Sequence, residues 1–186
     1  MARSVLAQAE SRTAPVLVEV GTGAGAVALL IAKERPDATV HATELSARAF
    51  GAAKRNLRAS GLAGVRLYEG DLLTPLPDEL HGRVDIVLSN LPSEAAALTG
   101  GPDPRVPERT YLGRDPDGLG LVRELTADAR RFLKPGGVLL LVLEPWQWDV
   151  ILPDLGGLGY APADLRSPEG SPFVYGSLRF LGEDPA

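Results

Sequence analysis

Along this chain, short runs of branched apolar residues alternate with stretches where apolar residues recur every three or four positions. Val16-Leu17-Val18-Glu19-Val20 is a β-branched run that ends at a glycine, the pattern of a buried strand. Ala24 to Arg35 is rich in alanine and leucine at helical spacing, and Pro36 ends it. Thr39 to Thr43 reads as a second strand. Ser46 then caps a helix that places Phe50, Ala53 and Leu57 on one face and stops at Gly61. Val65–Tyr68 and Val84–Ser89 are the third and fourth strands. Leu119, Val122, Leu125, Ala129 and Phe132 define a helix over about Leu119 to Leu133, ended by Lys134-Pro135-Gly136-Gly137. Val138–Leu143 is the most apolar strand and belongs at the centre of a sheet. Trp146 to Leu152 predicts a short helix cut by Pro153. Tyr160–Arg166 and Phe173–Leu181 predict two further strands.

Strands buried on both faces and separated by helices predict a doubly wound α/β sheet. The last two strands have no helix between them and should pair antiparallel. The organisation expected is one domain over 1–186, with 1–14 as a lead-in and 91–116 as an irregular loop. That loop follows strand four, on the side where open α/β sheets bind ligands.

Composition narrows the chemistry. A chain of 186 residues fits one domain. There is no cysteine, which excludes disulfides, thiolate metal sites and a cysteine nucleophile. The two histidines, His41 and His81, are too few for a histidine-rich metal centre and are expected to be structural. The net charge of −5 argues against broad nucleic-acid binding. No apolar run reaches the roughly 18 residues of a membrane span. The start of the chain carries Arg3, Glu10 and Arg12 without a continuous apolar stretch, unlike a secretory signal, so a cytoplasmic protein is expected.

Glu19-Val20-Gly21-Thr22-Gly23-Ala24-Gly25 joins strand one to helix one. Glycines there let a ligand lie against bare backbone, although a glycine turn can also simply pack a helix on a strand. Gly21, Gly23 and Ala26 satisfy the dinucleotide form, and Glu19 with Gly21, Gly23 and Gly25 satisfies an acidic-x-Gly-x-Gly-x-Gly form. Glu44 ends strand two. An acid there can accept hydrogen bonds from both hydroxyls of a ribose, or can sit solvated at the next helix N-terminus. Asp71 follows strand three, as an adenine-facing carboxylate or as an ordinary turn residue.

Ser89-Asn90-Leu91-Pro92-Ser93 follows strand four. An amide or exocyclic amine conjugates its nitrogen lone pair and is a poor nucleophile. The Asn90 side-chain oxygen and the Leu91 carbonyl can accept its two N–H groups, aligning the nitrogen for attack. Pro92 biases Leu91 toward extended backbone. The bland alternative is an Asx turn before proline.

These motifs together resemble class I S-adenosylmethionine (SAM) methyltransferases. More narrowly, the chain resembles the protein-(glutamine-N5) release-factor methyltransferases, the HemK/PrmC family. The likeness runs from about Val16 to Leu143 and includes the glycine turn, Ala52-Ala53-Lys54-Arg55-Asn56, Gly70-Asp71, Asn90-Leu91-Pro92, Asp117-Gly118 and Lys134-Pro135-Gly136-Gly137. Leu91 stands where the family's motif has a first proline. Ser93 stands where it has an aromatic that stacks on a planar substrate, a role Tyr111, Trp146 or Trp148 can take over.

The resemblance implies a Rossmann-like seven-stranded sheet, mostly parallel with the last strand antiparallel. It implies SAM held by Glu19, Gly21, Thr22, Gly23, Gly25, Glu44, Leu45, Asp71, Leu72 and Asn90, with Asn90, Leu91 and Pro92 as the catalytic segment and no metal. The acceptor it implies is a protein glutamine, on a release factor, with a small activating partner protein in place of the helical substrate domain that bacterial relatives carry. The alternatives are an RNA or DNA amino group, a small molecule, or a SAM-binding module without catalysis. Arg105, Arg109 and Arg114 would serve a nucleic acid as an anion site, or would be solvated surface. The charge disfavours nucleic acid, and no membrane partner is expected.

Overall fold

The computed structural model describes residues 1–91 and 115–182. The chain forms α1 (Ala2–Ala9), β1 (Val16–Val20), α2 (Ala26–Glu34), β2 (Thr39–Glu44), α3 (Ala47–Ser60), β3 (Val65–Glu69) and β4 (Val84–Ser89). After the segment 92–114 come α4 (Gly120–Phe132), β5 (Leu133–Leu143), α5 (Pro145–Gly157), β6 (Tyr160–Arg166) and β7 (Val174–Phe180). The strands make one seven-stranded sheet in the order β3-β2-β1-β4-β5-β7-β6. β7 runs antiparallel to both its neighbours and the other described pairs are parallel. This is the doubly wound sheet with an antiparallel last strand that the sequence predicts.

Alternation along each strand sends residues to two cores. Leu17, Val40, Ala42, Ile86, Leu88 and Val138 pack beneath α1 and α2. Val18, Val20, Val87, Leu139, Leu141 and Leu143 pack beneath α4 and α5. Both faces are covered, which is why these strands read as continuous apolar runs. Connection order reverses between β1 and β4, so the crevice beyond their C-terminal ends is the switch point of the sheet, where open α/β folds bind ligands.

Local signals explain most boundaries. The Ser46 hydroxyl accepts a hydrogen bond from the Ala49 N–H at 3.3 Å at the start of α3, and Gly61 closes that helix at φ +67°. Three features differ from the sequence expectation. The lead-in folds as α1, burying Val5 and Ala9. β5 begins at Leu133, because Leu133 pairs with Val84 before the register shifts ahead of Ile86 and Val138. Pro153 lies inside α5 rather than ending it. A proline there removes one helical hydrogen bond, but Trp148, Ile151 and Leu155, all 2% exposed or less, anchor the helix on both sides of it.

At the N-terminal end of the central strands, opposite the switch point, Asp85 is a hub. Its Oδ1 accepts from Arg12 Nη1 at 3.0 Å, its Oδ2 accepts from the Val16 N–H at 2.9 Å, and Lys134 Nζ reaches both oxygens at 3.0 Å. Arg12 Nη2 also donates to the Gly136 carbonyl at 3.0 Å. Burial pushes the Asp85 carboxyl up, but the Val16 N–H, Lys134 and Arg12 outweigh it and hold it below the ordinary value. One carboxylate thus ties the segment after α1 to β1, β4 and β5. Among the described residues no helix is long and apolar enough to cross a membrane.

Asp85→Ala leaves two cations and a backbone N–H without their acceptor. Both cations still reach solvent, so losing the shared acceptor costs about 2 kcal/mol. Urea unfolding at neutral pH should show that loss, and a change within experimental error would refute the hub. Because the carboxyl is held low, the wild-type advantage should persist above the usual carboxylate range and fade as the pH falls through the folded value.

Candidate functional site

Residues from the ends of β1, β2, β3 and β4 converge at the switch point. The turn after β1 is left-handed at Gly21, Gly23 and Gly25, with φ of +72°, +60° and +85°. A side chain at any of these positions would be strained. A Cβ built on Gly23 meets nothing within 4 Å, so bare backbone faces open space there. The turn is tied to β2. The Thr43 carbonyl accepts from both the Gly21 and Thr22 N–H groups at 3.0 Å. Glu44 Oε2 accepts from the Gly23 N–H at 2.7 Å and Oε1 from the Ser46 N–H at 2.8 Å. The Glu44 carboxylate therefore clamps the glycine turn to the start of α3, and each oxygen keeps a second acceptor direction for a ligand. Its partners are backbone groups, so it is neither a free carboxylate nor a merely solvated one.

Glu19 lies beneath the same turn. It is 5% exposed, and the Thr22 hydroxyl donates to its Oε2 at 2.7 Å. Burial pushes its carboxyl up to about 7, against the pull of Thr22 and the Ala28 N–H and with help from the charge of Glu44. Among the described residues neither Glu19 nor Glu44 forms an ion pair. Two nearly buried acids without a cation make this side of the crevice suited to a positively charged ligand.

Beyond β2, Leu45 is exposed at 44% and offers an apolar surface at the mouth of the crevice. After β3 the Gly70 N–H donates to the Glu44 carbonyl at 2.9 Å. Asp71 follows, half-buried. Leu72 adopts φ +45°, rare for a residue with a side chain, and its side chain is buried in the α4–α5 core.

β4 brings in the second motif. The Ser89 hydroxyl donates to the Val20 carbonyl at 2.9 Å, locking the ends of β4 and β1 together. Asn90 follows, exposed and directly beyond the strand. Leu91 Cδ2 lies 3.6 Å from where a Gly21 Cβ would stand. The segment after β4 therefore rests on the glycine turn, and the two motifs form one site. Pro92, Ser93, Arg105, Arg109, Tyr111 and Arg114 lie outside the described residues.

Other sequence candidates separate here. Trp148 is 2% exposed and its indole N–H donates to the Val174 carbonyl at 3.1 Å, so it is a core residue and cannot stack on a ligand. Trp146 is exposed, and its indole N–H donates to Glu144 Oε2 at 2.7 Å. His41 is buried against Tyr68, with Nδ1 2.9 Å from the tyrosine hydroxyl. Burial, with Arg66 nearby, pushes its pKa down to about 4. His81 packs edge-on against Phe132. Neither histidine faces the crevice motifs. Among the described residues no cluster of His, Cys, Asp or Glu could hold a metal ion. Sequence reasoning missed the Thr22–Glu19 bond and the Glu144 cap at α5. It also missed Arg123, which bonds Asp115 at 2.9 Å and Asp117 at 2.6 Å just ahead of α4. For Arg123 a signal was present: it lies six positions after Asp117, one turn inside the helix.

Residues 2–99 match the family described as "Methyltransferase small domain". The chain is 40% identical over 131 residues to a release factor glutamine methyltransferase of Streptomyces coelicolor, covering 68% of this chain and 45% of that protein. It is also 40% identical over 135 residues to a 4-amino-L-phenylalanine/4-methylamino-L-phenylalanine methyltransferase of Streptomyces pristinaespiralis, covering 69% of this chain and 45% of that one. The chain thus spans about half the length of these curated relatives. In fold it is similar to the crystal structure of a methyltransferase from Pyrococcus furiosus, with a TM-score of 0.70 at 22% identity, covering 97% of this chain and 83% of that one.

The buried Glu19 makes a stability prediction. Between the ordinary carboxylate value and about 7 the folded chain holds a proton that the unfolded chain has released. Stability should therefore fall as pH rises through that window, by about 3 kcal/mol in all. Glu19→Gln keeps an acceptor for Thr22 and removes the titration. Urea unfolding of the ligand-free protein should show the variant gaining on wild type between about pH 5 and about pH 8. An equal gap at both pH values would refute the assignment.

Proposed function

We propose that this chain, which belongs to the methyltransferase small domain family, methylates the side-chain amide of a protein glutamine. S-adenosyl-L-methionine is the methyl donor. The residues present fit that group: open space over the Gly23 backbone and two nearly buried acids without a cation suit a ligand with a sulfonium and an ammonium. When bound, it supplies an electrophilic methyl whose sulfur loses its positive charge on transfer.

The rest of the mechanism belongs to the chain's own residues. In this reading Glu44 accepts from the ribose hydroxyls with the lone pairs its backbone partners leave free, and Leu45 covers the adenine. Asp71 and the Leu72 backbone address the adenine edge, and Glu19 with Gly21, Thr22, Gly23 and Gly25 forms the floor for the amino-acid end. The Asn90 side-chain oxygen and the Leu91 carbonyl accept the two N–H groups of the acceptor amide, with Pro92 keeping Leu91 extended. That grip points the nitrogen at the methyl and raises its electron density as the new C–N bond forms. The nitrogen then releases a proton to solvent. No strong base is required, because the leaving group departs neutral.

The contact of Leu91 with the glycine turn carries this reading, since it puts the amide-gripping segment against the donor's cradle. The glutamine acceptor is supported by the release factor methyltransferases among the relatives, and a cytoplasmic location goes with it. Among acceptors, the aromatic amine named for the Streptomyces pristinaespiralis relative is the natural comparison.

Labelled methyl transfer from the donor to a release factor, to ribosomal RNA and to 4-amino-L-phenylalanine distinguishes the acceptors. The release factor should be labelled. Asn90→Ala should lower kcat by at least about 100-fold, the scale of removing a group that acts on the transition state. Its donor affinity by calorimetry should stay within a few-fold, whereas Glu44→Ala should weaken the donor by about ten-fold or more, about one charge-assisted hydrogen bond. Undiminished transfer by Asn90→Ala would overturn the assignment of the acceptor grip.

A further inference from the structure

An acceptor amide is flat, and Asn90 and Leu91 can grip only its polar edge. Its faces need a surface of their own. Among the described residues the exposed aromatic rings are Trp146 and Phe173, each 38% exposed. Both lie at the C-terminal edge of the parallel strands, the edge that carries Asn90. β5 is the strand next to the one that leads into Asn90: it pairs with β4, Ser89 stands beside Leu141, and Trp146 is the second residue of α5, the helix immediately beyond β5. Phe173 precedes β7, one strand farther away.

Trp146 is also held in place. Glu144 is the N-cap of α5, its side chain accepts from the Gln147 backbone, and the Gln147 side chain accepts from the Glu144 N–H at 2.9 Å. Pro145 fixes the first helical position. On this rigid corner Glu144 Oε2 takes the indole N–H at 2.7 Å. With its one donor engaged, the indole can offer a ligand its ring face. An exposed tryptophan that merely tolerated solvent would need no such fixing, because leaving a large ring in water is unfavourable.

We propose that Trp146 is the acceptor-side aromatic of this enzyme, stacking on the planar group gripped by Asn90, and that Glu144 is the positioning residue that holds the ring. Ser93, directly after Pro92, brings no ring of its own. The proposal rests on the reading of the protein as a methyltransferase of planar nitrogen.

The test compares wild type, Trp146→Ala, Trp146→Phe, Glu144→Gln and Phe173→Ala in steady-state methyl transfer to a release factor, with donor affinity by calorimetry. Trp146→Ala should raise the acceptor KM roughly ten-fold, the value of one stacked ring. Its donor affinity should stay within about two-fold, which shows a folded crevice. Trp146→Phe should recover most of the loss, Glu144→Gln should raise KM by an intermediate factor, and Phe173→Ala should leave it unchanged. Adding acceptor should quench the emission of exposed Trp146 in wild type and not in Trp146→Phe, which retains buried Trp148. An unchanged KM in Trp146→Ala, or an equal rise in Phe173→Ala, overturns the proposal. If wild type labels 4-amino-L-phenylalanine and not the release factor, the glutamine reading fails and the same KM comparison on that amine decides Trp146. If wild type labels neither, both readings fall.

Discussion

The site depends on one close approach: the chain leaving β4 lies directly on the chain leaving β1, where the strand order of the sheet reverses. Leu91 Cδ2 stands 3.6 Å from where a Gly21 Cβ would be, an ordinary packing distance, and the left-handed φ of +72° is what calls for glycine at that position. The turn can expose its backbone because its N–H groups are tied underneath. Gly21 and Thr22 bond the Thr43 carbonyl, and Gly23 bonds Glu44. Each such bond is worth only about 1 kcal/mol, but together they fix a left-handed turn that an isolated peptide would not hold. The Ser89 bond to the Val20 carbonyl sets how far apart the two strand ends stand. The proposed transfer works by alignment and needs that separation fixed.

The two ends of the sheet solve opposite problems. At one end Asp85 satisfies Arg12, Lys134 and Val16, and the structure there is closed by complementary charge. At the other end Glu19 and Glu44 are nearly buried on the same side without a cation among the described residues. That arrangement is costly for the ligand-free chain, as the raised Glu19 carboxyl shows. The cost has a use if the ligand brings positive charge, because binding then relieves what folding left uncompensated. The strained Leu72 backbone stands at the same edge.

Much of this was legible in the sequence because the deciding forces are local. The apolar runs of β1, β2 and β4, the Ser46 cap and the Gly61 stop each announce themselves within a few residues, and the structure follows them closely. The failures are non-local. α1 buries little more than Val5 and Ala9, and the segment after it is anchored by an arginine whose partner is 73 residues away. Pro153 reads as a stop, but the packing of Trp148, Ile151 and Leu155 overrides it. Two tryptophans two positions apart look equivalent as candidates, yet one is buried against Val174 and the other exposed on Glu144. At the site, Glu44 was legible as an acid at a strand end, but its double hold on Gly23 and Ser46 required the fold. The motif marked Asn90 and Leu91 at the end of β4, and only the fold brings Leu91 onto the glycine turn, while Pro92 and Ser93 lie outside the described residues.

The proposed function requires that a methyl group pass from the donor in the glycine cradle to a glutamine amide held by Asn90. The most direct measurement is tandem mass spectrometry of a release factor incubated with the protein and trideuteromethyl-labelled S-adenosyl-L-methionine. One label is expected, on the side-chain nitrogen of a single glutamine. A label on a carboxylate, hydroxyl or lysine nitrogen, or an unlabelled release factor beside a labelled nucleic acid, would contradict it.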